Sequence, residues 1–139
     1  GLRIPLSRTW LVRWADLHRG DVVVLDSPDD DQVLLKRVVA LPGDRVEVRE
    51  GHVTIAGQRI ETTDHDETLG GKRHALSLAA GGGPDLGPVV VPPGKVLVMG
   101  DNRGNSRDGR TFGFVDEATV LGRALAVYSR GGSIGWNEI

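Results

Sequence analysis

The sequence predicts a mostly β fold of antiparallel strands with short helical turns. Its 139 residues are enough for one domain with a buried core. The apolar segments are short, rich in valine and bounded by Gly, Pro or Asp, which is typical of strands. Aromatic residues make up only 4% of the chain, so the core has to be mainly aliphatic.

The predicted elements follow one another along most of the chain. Strands are predicted at residues 22–25, 33–41, 46–48, 53–55, 89–91 and 96–99. Turn sequences at 50–52 and 56–58 favour hairpins, and the second leads into residues 59–61. Residues 116–122 begin acidic and end in Gly, which predicts one or two helical turns. A last strand is expected over 123–128.

The composition changes in the middle of the chain, which suggests that a smaller region is inserted into a β core. We expect a β core formed by residues 1–50 and 89–130, a smaller inserted hairpin region at 51–88, and a C-terminal tail at 131–139. Residues 61–88 are polar or rich in Gly, so we expect an exposed, partly mobile segment there.

The composition also excludes several classes of protein. A net charge of −2 gives no basic footprint for nucleic acid. The absence of cysteine excludes disulfides, thiolate catalysis and cysteine-based zinc sites. No segment reaches the roughly 18–20 apolar residues that span a bilayer. Met99 is the only methionine and residue 1 is Gly, so we expect a processed chain or a piece of a longer one.

Lys36 is the first candidate for chemistry. In a strand, the period of two places Leu34, Lys36 and Val38 on one face, so the lysine stands in an aliphatic row. It either lies at an edge and extends its amine to water, or is desolvated. A desolvated lysine is neutral near pH 7–8 and can act as a general base. Arg37, on the opposite face, is interpreted as a structural ion-pair partner.

Residues 100–110 (GDNRGNSRDGR) are the second candidate. They follow an apolar strand, and their Gly, Asp, Asn and Ser residues are typical of a tight turn. Three interpretations remain open. The segment is an ordinary polar loop, a calcium loop, or a network of Ser106, Asp108 and Arg110 that holds a nearby group. Arg103 stands where an EF-hand needs an oxygen ligand, which weakens the calcium interpretation.

Two acidic clusters are interpreted as solvated turns. Residues 29–31 are three consecutive aspartates, and residues 64–67 read DHDE. The second cluster could chelate a metal weakly, but the four histidines show no HxxxH pairing.

Three blocks of the chain resemble bacterial type I signal peptidase, a membrane-bound Ser/Lys endopeptidase. They are residues 19–25 (RGDVVVL), 35–46 (LKRVVALPGDRV) and 91–115 (VPPGKVLVMGDNRGNSRDGRTFGFV), and residues 1–5 (GLRIP) add to them. The resemblance covers most of the chain except about 61–88. It implies strongly bent antiparallel sheets and no metal or cofactor.

The resemblance assigns roles position by position. Lys36 matches the general base, and Ser106 matches a second serine whose hydroxyl orients it. Asp108 and Arg110 match a supporting ion pair, and Arg37 matches the basic residue after the base. Gly100, Asp101 and Asn102 match the turn that brings the serine under the lysine. Gly104 and Gly109 depart from the residues common in the family, Asp and Ser, at loop positions.

One departure concerns the nucleophile. The family's nucleophilic serine lies in an SxSM motif, and no SxSM occurs in this sequence. We therefore expect an inactive fragment whose nucleophile and membrane anchor lie upstream. The resemblance implies that the parent enzyme sits in the cell membrane, with its catalytic domain on the extracytoplasmic side. There it would remove signal peptides from secretory preproteins after Ala-x-Ala-type sites, in an apolar groove that binds substrate as an added strand.

Two other interpretations remain. The chain could be a non-catalytic β-rich module that binds exported peptides. It could also come from another Ser/Lys peptidase of related fold, such as a self-cleaving repressor or a pilus-processing relative. The residues encoded before Gly1 would distinguish them, because a repressor needs a DNA-binding segment there and a membrane enzyme needs an anchor.

Overall fold

The computed structural model describes residues 11–12 and 17–124. Its twelve strands are β1 (Leu11–Val12), β2 (Val22–Asp26), β3 (Val33–Ala40), β4 (Arg45–Arg49), β5 (His52–Ile55), β6 (Gln58–Arg59), β7 (Asp66–Leu69), β8 (Lys72–Ala75), β9 (Leu86–Val90), β10 (Lys95–Met99), β11 (Val115–Asp116) and β12 (Val120–Ala124). One α-helical turn, α1 (Gly109–Phe112), and two 3-10 turns, Arg103–Asn105 and Glu117–Thr119, complete the described elements.

The strands form three antiparallel sheets. The largest has six strands in the order β1-β12-β2-β3-β10-β11, and a second has four in the order β6-β5-β4-β9. Strands β7 and β8 form a separate hairpin. Register shifts between Leu97 and Val98 in β10, and between Val120 and Gly122 in β12, bend the larger sheet. The prediction of mostly β structure with bent antiparallel sheets is confirmed.

Two aliphatic clusters cover the two faces of the larger sheet. The first contains residues from both main sheets, among them Val39, Val46 and Met99. The second lies on the other face of β3 and contains Val23, Val38 and others. In β3, Val38 belongs to the second cluster and its neighbour Val39 to the first, as the period of two predicts.

The prediction for the end of the domain is partly wrong. Residues 117–119 form a single 3-10 turn, and β12 begins at Val120 instead of 123. The reason is pairing, because Val120 lies opposite Leu25 of β2 and Gly122 lies opposite Val24. Residues 125–128 of the expected strand, the start of the chain and the predicted tail lie outside the described residues.

The expectation of an exposed segment at 61–88 also needs correction. The hairpin of β7 and β8 alternates buried and exposed residues, and Glu67, Leu69 and His74 are buried. Residues 79–81 and 83–85 are exposed as expected. The division into a core of 1–50 and 89–130 with an insertion stays a prediction.

Candidate active site

Lys36 lies inside the larger sheet. Strand β3 runs between β2 and β10, so the lysine occupies a central position and not an edge. Only 5% of the residue is exposed. Its Nζ donates a hydrogen bond of 2.9 Å to the hydroxyl oxygen of Ser106, a residue 70 positions away in the sequence. The structure thus brings together the two residues that the sequence singled out in separate segments.

The surroundings of Lys36 favour its neutral form. Burial lowers the pKa of Lys36 below the ordinary lysine value, and the positive charges of Arg107 and Arg110 lower it further. The carboxylates of Asp108 and Asp101 act in the opposite direction, but the pKa remains lowered. A lysine with a lowered pKa holds a lone pair at a lower pH than a solvated one, which is what a general base needs.

Ser106 lies in a segment that we call the Ser106 loop, residues 100–108. Strand β10 leads into the loop and α1 follows it. The loop closes on itself, because the carboxylate of Asp108 accepts a hydrogen bond of 2.9 Å from the Gly100 backbone N–H. Asp108 also begins α1, where it accepts from the backbone N–H of Arg110 at 3.0 Å. This is the capping contact that Asp makes at a helix start.

The Asp108–Arg110 ion pair is fully buried on both sides. Two guanidinium nitrogens of Arg110 donate to the Asp108 carboxylate at 3.0 and 2.9 Å. The same guanidinium donates to the carbonyl oxygens of Arg103 at 2.8 Å and Gly82 at 2.6 Å. Burial alone would raise the pKa of Asp108, but the hydrogen bonds from Arg110 and Gly100 outweigh it and hold the pKa below its ordinary value.

Arg37 and Asp101 form a second ion pair on the face of β3 opposite Lys36. The pair is bidentate, with both hydrogen bonds at 2.9 Å, and Arg37 also donates to the Gly20 carbonyl. This geometry is typical of a strong arginine–carboxylate contact. Asn102 forms a single parallel bridge with Ser77, which adds a backbone connection beside Asp101.

The structure places further charged residues at the site that the sequence analysis did not identify. Glu67, expected in a solvated cluster, is fully buried and pairs with buried Arg103 at 2.6 and 3.1 Å. His74 Nε2 lies 3.0 Å from the same carboxylate. Burial would raise the pKa of Glu67, but His74 and Arg103 hold it at about 2. The sequence signal was the strand alternation that places Glu67 in phase with Leu69.

Glycines allow the segment around residues 79–83 to pack directly on the Ser106 loop. A Cβ at Gly104 would lie 2.2 Å from the Ala80 carbonyl oxygen. A Cβ at Gly83 would lie 2.2 Å from the carbonyl oxygen of Arg103. The departure from the family pattern at Gly104 therefore matches a close backbone contact in this chain.

No group of three or more His, Asp or Glu side chains forms a candidate metal site within the described residues. The described helices are also too short to cross a membrane.

The model of the family "Signal peptidase, peptidase S26" matches residues 6–129, which is most of the chain. The chain belongs to the peptidase S26 family of signal peptidases.

Individual relatives agree with the S26 assignment. A probable signal peptidase I-2 from Synechocystis is 36% identical over 119 residues, covering 81% of this chain and 49% of that protein. Signal peptidase I of Bacillus licheniformis is 33% identical over 114 residues, covering 81% of this chain and 60% of that protein. The chain thus spans about half to three fifths of the length of these relatives.

A solved S26 structure shares the fold. The crystal structure of a signal peptidase I from Enterococcus faecalis superimposes with a TM-score of 0.57 at 28% identity. The match covers 80% of this chain and 97% of that one.

Proposed function

We propose that this chain is the lysine-bearing part of a type I signal peptidase, a serine endopeptidase with a Ser/Lys dyad. The observation that carries the proposal is the buried Lys36 amine, held 2.9 Å from the Ser106 hydroxyl in the middle of a sheet. A charged lysine is rarely buried in this way unless it is paired, and its lowered pKa suits proton transfer. The substrates would be secretory preproteins, cut after Ala-x-Ala-type sites.

In the proposed mechanism, neutral Lys36 accepts the proton of a nucleophilic serine hydroxyl as its oxygen attacks the scissile carbonyl carbon. The protonated amine then returns that proton to the leaving amine, and an acyl-enzyme ester remains. Lys36 next takes a proton from water as the water oxygen attacks the ester carbonyl carbon. The protonated amine then gives that proton to the departing serine oxygen, and the signal peptide is released. Ser106 restricts the rotation of the amine so that the lone pair points at the nucleophile.

The nucleophile is proposed to lie outside this sequence. No SxSM occurs in the 139 residues, and Ser106 already has the role of orienting Lys36. The proposal therefore includes an upstream segment that supplies the serine and anchors the enzyme in the membrane. It places the catalytic domain on the extracytoplasmic side. The chain by itself is expected to be inactive.

The test uses the full-length gene product and a synthetic signal-peptide substrate. Lys36→Ala is expected to reduce turnover to background, because the only proposed base is gone. Lys95→Ala is the matched control, since Lys95 is an exposed lysine paired with Asp116 on the surface, and it should retain full activity. Full activity of the Lys36→Ala enzyme would contradict the assignment, and so would turnover by the 139-residue chain alone.

A further inference from the structure

Arg107, the residue directly after Ser106, is held by the turn between β2 and β3, which we call the hairpin tip (residues 27–32). Its Nη2 donates to the Asp30 carboxylate at 2.9 Å and to the Ser27 hydroxyl at 3.1 Å. Its Nη1 contacts the Asp29 carboxylate. Ser27 in turn donates to Asp29 at 2.9 Å. The aspartates expected to be only solvated are exposed, but two of them bind this guanidinium.

A second contact comes from α1. The guanidinium carbon of Arg107 lies 5.9 Å from the centre of the Phe112 ring, within reach of a cation–π interaction. Isolated surface ion pairs contribute little, but a guanidinium with two carboxylates, a hydroxyl and a ring around it forms a network. Arg107 therefore has a defined position although it is partly exposed.

The hairpin tip is part of the same β2–β3 hairpin that carries Lys36. Ser106 is thus tied to this hairpin twice, by its own hydroxyl to Lys36 and by its neighbour Arg107 to Asp29 and Asp30. We propose that Arg107 is a positioning residue that holds the Ser106 loop against the β2–β3 hairpin and places a fixed positive charge beside Lys36. The catalytic meaning of this inference rests on the function proposed above, but the geometry does not.

The position of Arg107 near Lys36 can be tested through the pKa of Lys36, which depends on the charges around it. Asp101 and Asp108 raise the pKa of Lys36, whereas Arg107 and Arg110 lower it. The hydrogen bond from Arg107 to Asp29 raises the pKa of the arginine, so its charge persists at every pH of interest. Of the two arginines, Arg110 is buried, but Arg107 lies at the surface and can be replaced without leaving a buried carboxylate unpaired.

The first experiment measures the titration of Lys36 directly. The chain contains three lysines, so the 139-residue protein with ¹³C-labelled lysine gives separate NMR titrations for Lys36, Lys72 and Lys95. Arg107→Gln is expected to raise the pKa of Lys36 by about half a unit at low salt, the size expected for loss of a nearby, partly solvated charge. At about 0.5 M salt, most of this difference should disappear. Arg107→Lys, which keeps the charge, should restore part of the lowering.

Arg73→Gln is the matched control. Arg73 is also a surface arginine with a forked contact to an aspartate, Asp66, but it lies on the β7–β8 hairpin. It is not among the charges that mainly shift the pKa of Lys36. An equal rise in the Arg73→Gln and Arg107→Gln proteins, or no rise in either, would overturn the charge effect.

The second experiment tests positioning through the backbone dynamics of the Ser106 loop. Arg107→Gln and the double variant Asp29→Asn/Asp30→Asn should lower the heteronuclear NOE of the Ser106 amide to a similar degree. The combined variant should show no further decrease, because all of these changes remove the same contact. An unchanged NOE in the single and double variants would overturn the positioning role.

In the full-length enzyme, the acid limb of the kcat/KM profile should move with the NMR pKa. Arg107→Gln should then lose about threefold in kcat/KM on that limb, the equivalent of about half a pKa unit, and recover at high pH. If the NMR pKa moves but activity has no such limb, the function proposed above fails while the position of Arg107 stands. If the limb exists and Arg107→Gln leaves it unchanged, the inference on Arg107 fails alone.

Discussion

Glu67→Gln tests whether the buried Arg103–Glu67 ion pair stabilises the Ser106 loop. The substitution keeps the shape of the side chain and removes the charge that pairs with buried Arg103. The pKa of Glu67 falls from an ordinary 4.5 to about 2 in the folded protein. At about 1.4 kcal/mol per unit, this corresponds to about 3–4 kcal/mol of stability at neutral pH. Breaking a buried ion pair costs a similar amount, about 3–5 kcal/mol.

The sign of the pH dependence separates this charge effect from a packing effect. A carboxylate whose pKa is lowered by folding stabilises the protein above its unfolded pKa, and the contribution is lost as the pH falls through the folded value. For Glu67 this window runs from about 4.5 to about 2. Because protonated Glu67 resembles Gln, the difference between the two proteins should fall to about half by pH 3.

The assay is urea unfolding of both proteins at pH 7 and pH 3, followed by circular dichroism. Glu47→Gln is the control, since Glu47 pairs with Arg49 at the surface, and it should change the free energy of unfolding by less than about 0.5 kcal/mol. A loss below about 1 kcal/mol for Glu67→Gln at pH 7 would refute the reasoning. So would a loss that is the same at both pH values.

Two further substitutions test other parts of the site. Ser106→Ala in the full-length enzyme should lower kcat by about 10- to 100-fold, because Lys36 loses its orienting partner, while stability changes by less than about 1.5 kcal/mol. Parallel kinetic and thermal unfolding measurements would check this, and an unchanged rate would remove Ser106 from the site. Gly104→Asp restores the residue common in the family, but its Cβ would meet the Ala80 carbonyl at 2.2 Å. We expect thermal unfolding to show a free energy of unfolding lower by about 1–3 kcal/mol. Wild-type stability would show that the 79–83 segment moves to accommodate the side chain at little cost.

The sequence predicted local features of this fold better than distant pairings. The valine-rich strands and the face of Lys36 follow from a period of two, which a single strand already contains. Of the helical turns expected at 116–122, only the 3-10 turn at 117–119 forms, because Val120 already pairs with Leu25, almost a hundred residues earlier. No local pattern encodes that partner.

Glu67 shows the same limit at the site. Strand alternation places it on the buried face beside Leu69, where a lone carboxylate would be costly. Arg103, 36 residues later, and His74 on the paired strand make the position tolerable. Local reasoning therefore assigned the acidic residues to solvent. The contact between Lys36 and Ser106 was expected from family resemblance and not from spacing, and their catalytic roles stay predictions.

The Ser106 loop is surrounded by arginine–carboxylate pairs that face different parts of the protein. Arg37–Asp101 attaches it to β3, Arg103–Glu67 to the β7–β8 hairpin, and Arg107 with Asp29 and Asp30 to the hairpin tip. The fourth pair, Asp108–Arg110, reaches the carbonyl of Gly82. An aliphatic core with few aromatic residues gives no directional contacts to a polar loop, whereas forked ion pairs do.

The same ion pairs also determine the electrostatic effect of the neighbouring carboxylates on the Lys36 amine. The Asp108 carboxylate accepts four hydrogen bonds, three from Arg110 and one from Gly100. Its negative charge is therefore largely offset by Arg110 before it acts on Lys36, and Asp101 is offset by Arg37 in the same way. A carboxylate without its arginine would raise the pKa of Lys36 further and favour the charged amine. The arginines that hold the loop in place thus also offset the carboxylate charges. As a result, burial has the largest effect on the pKa of Lys36.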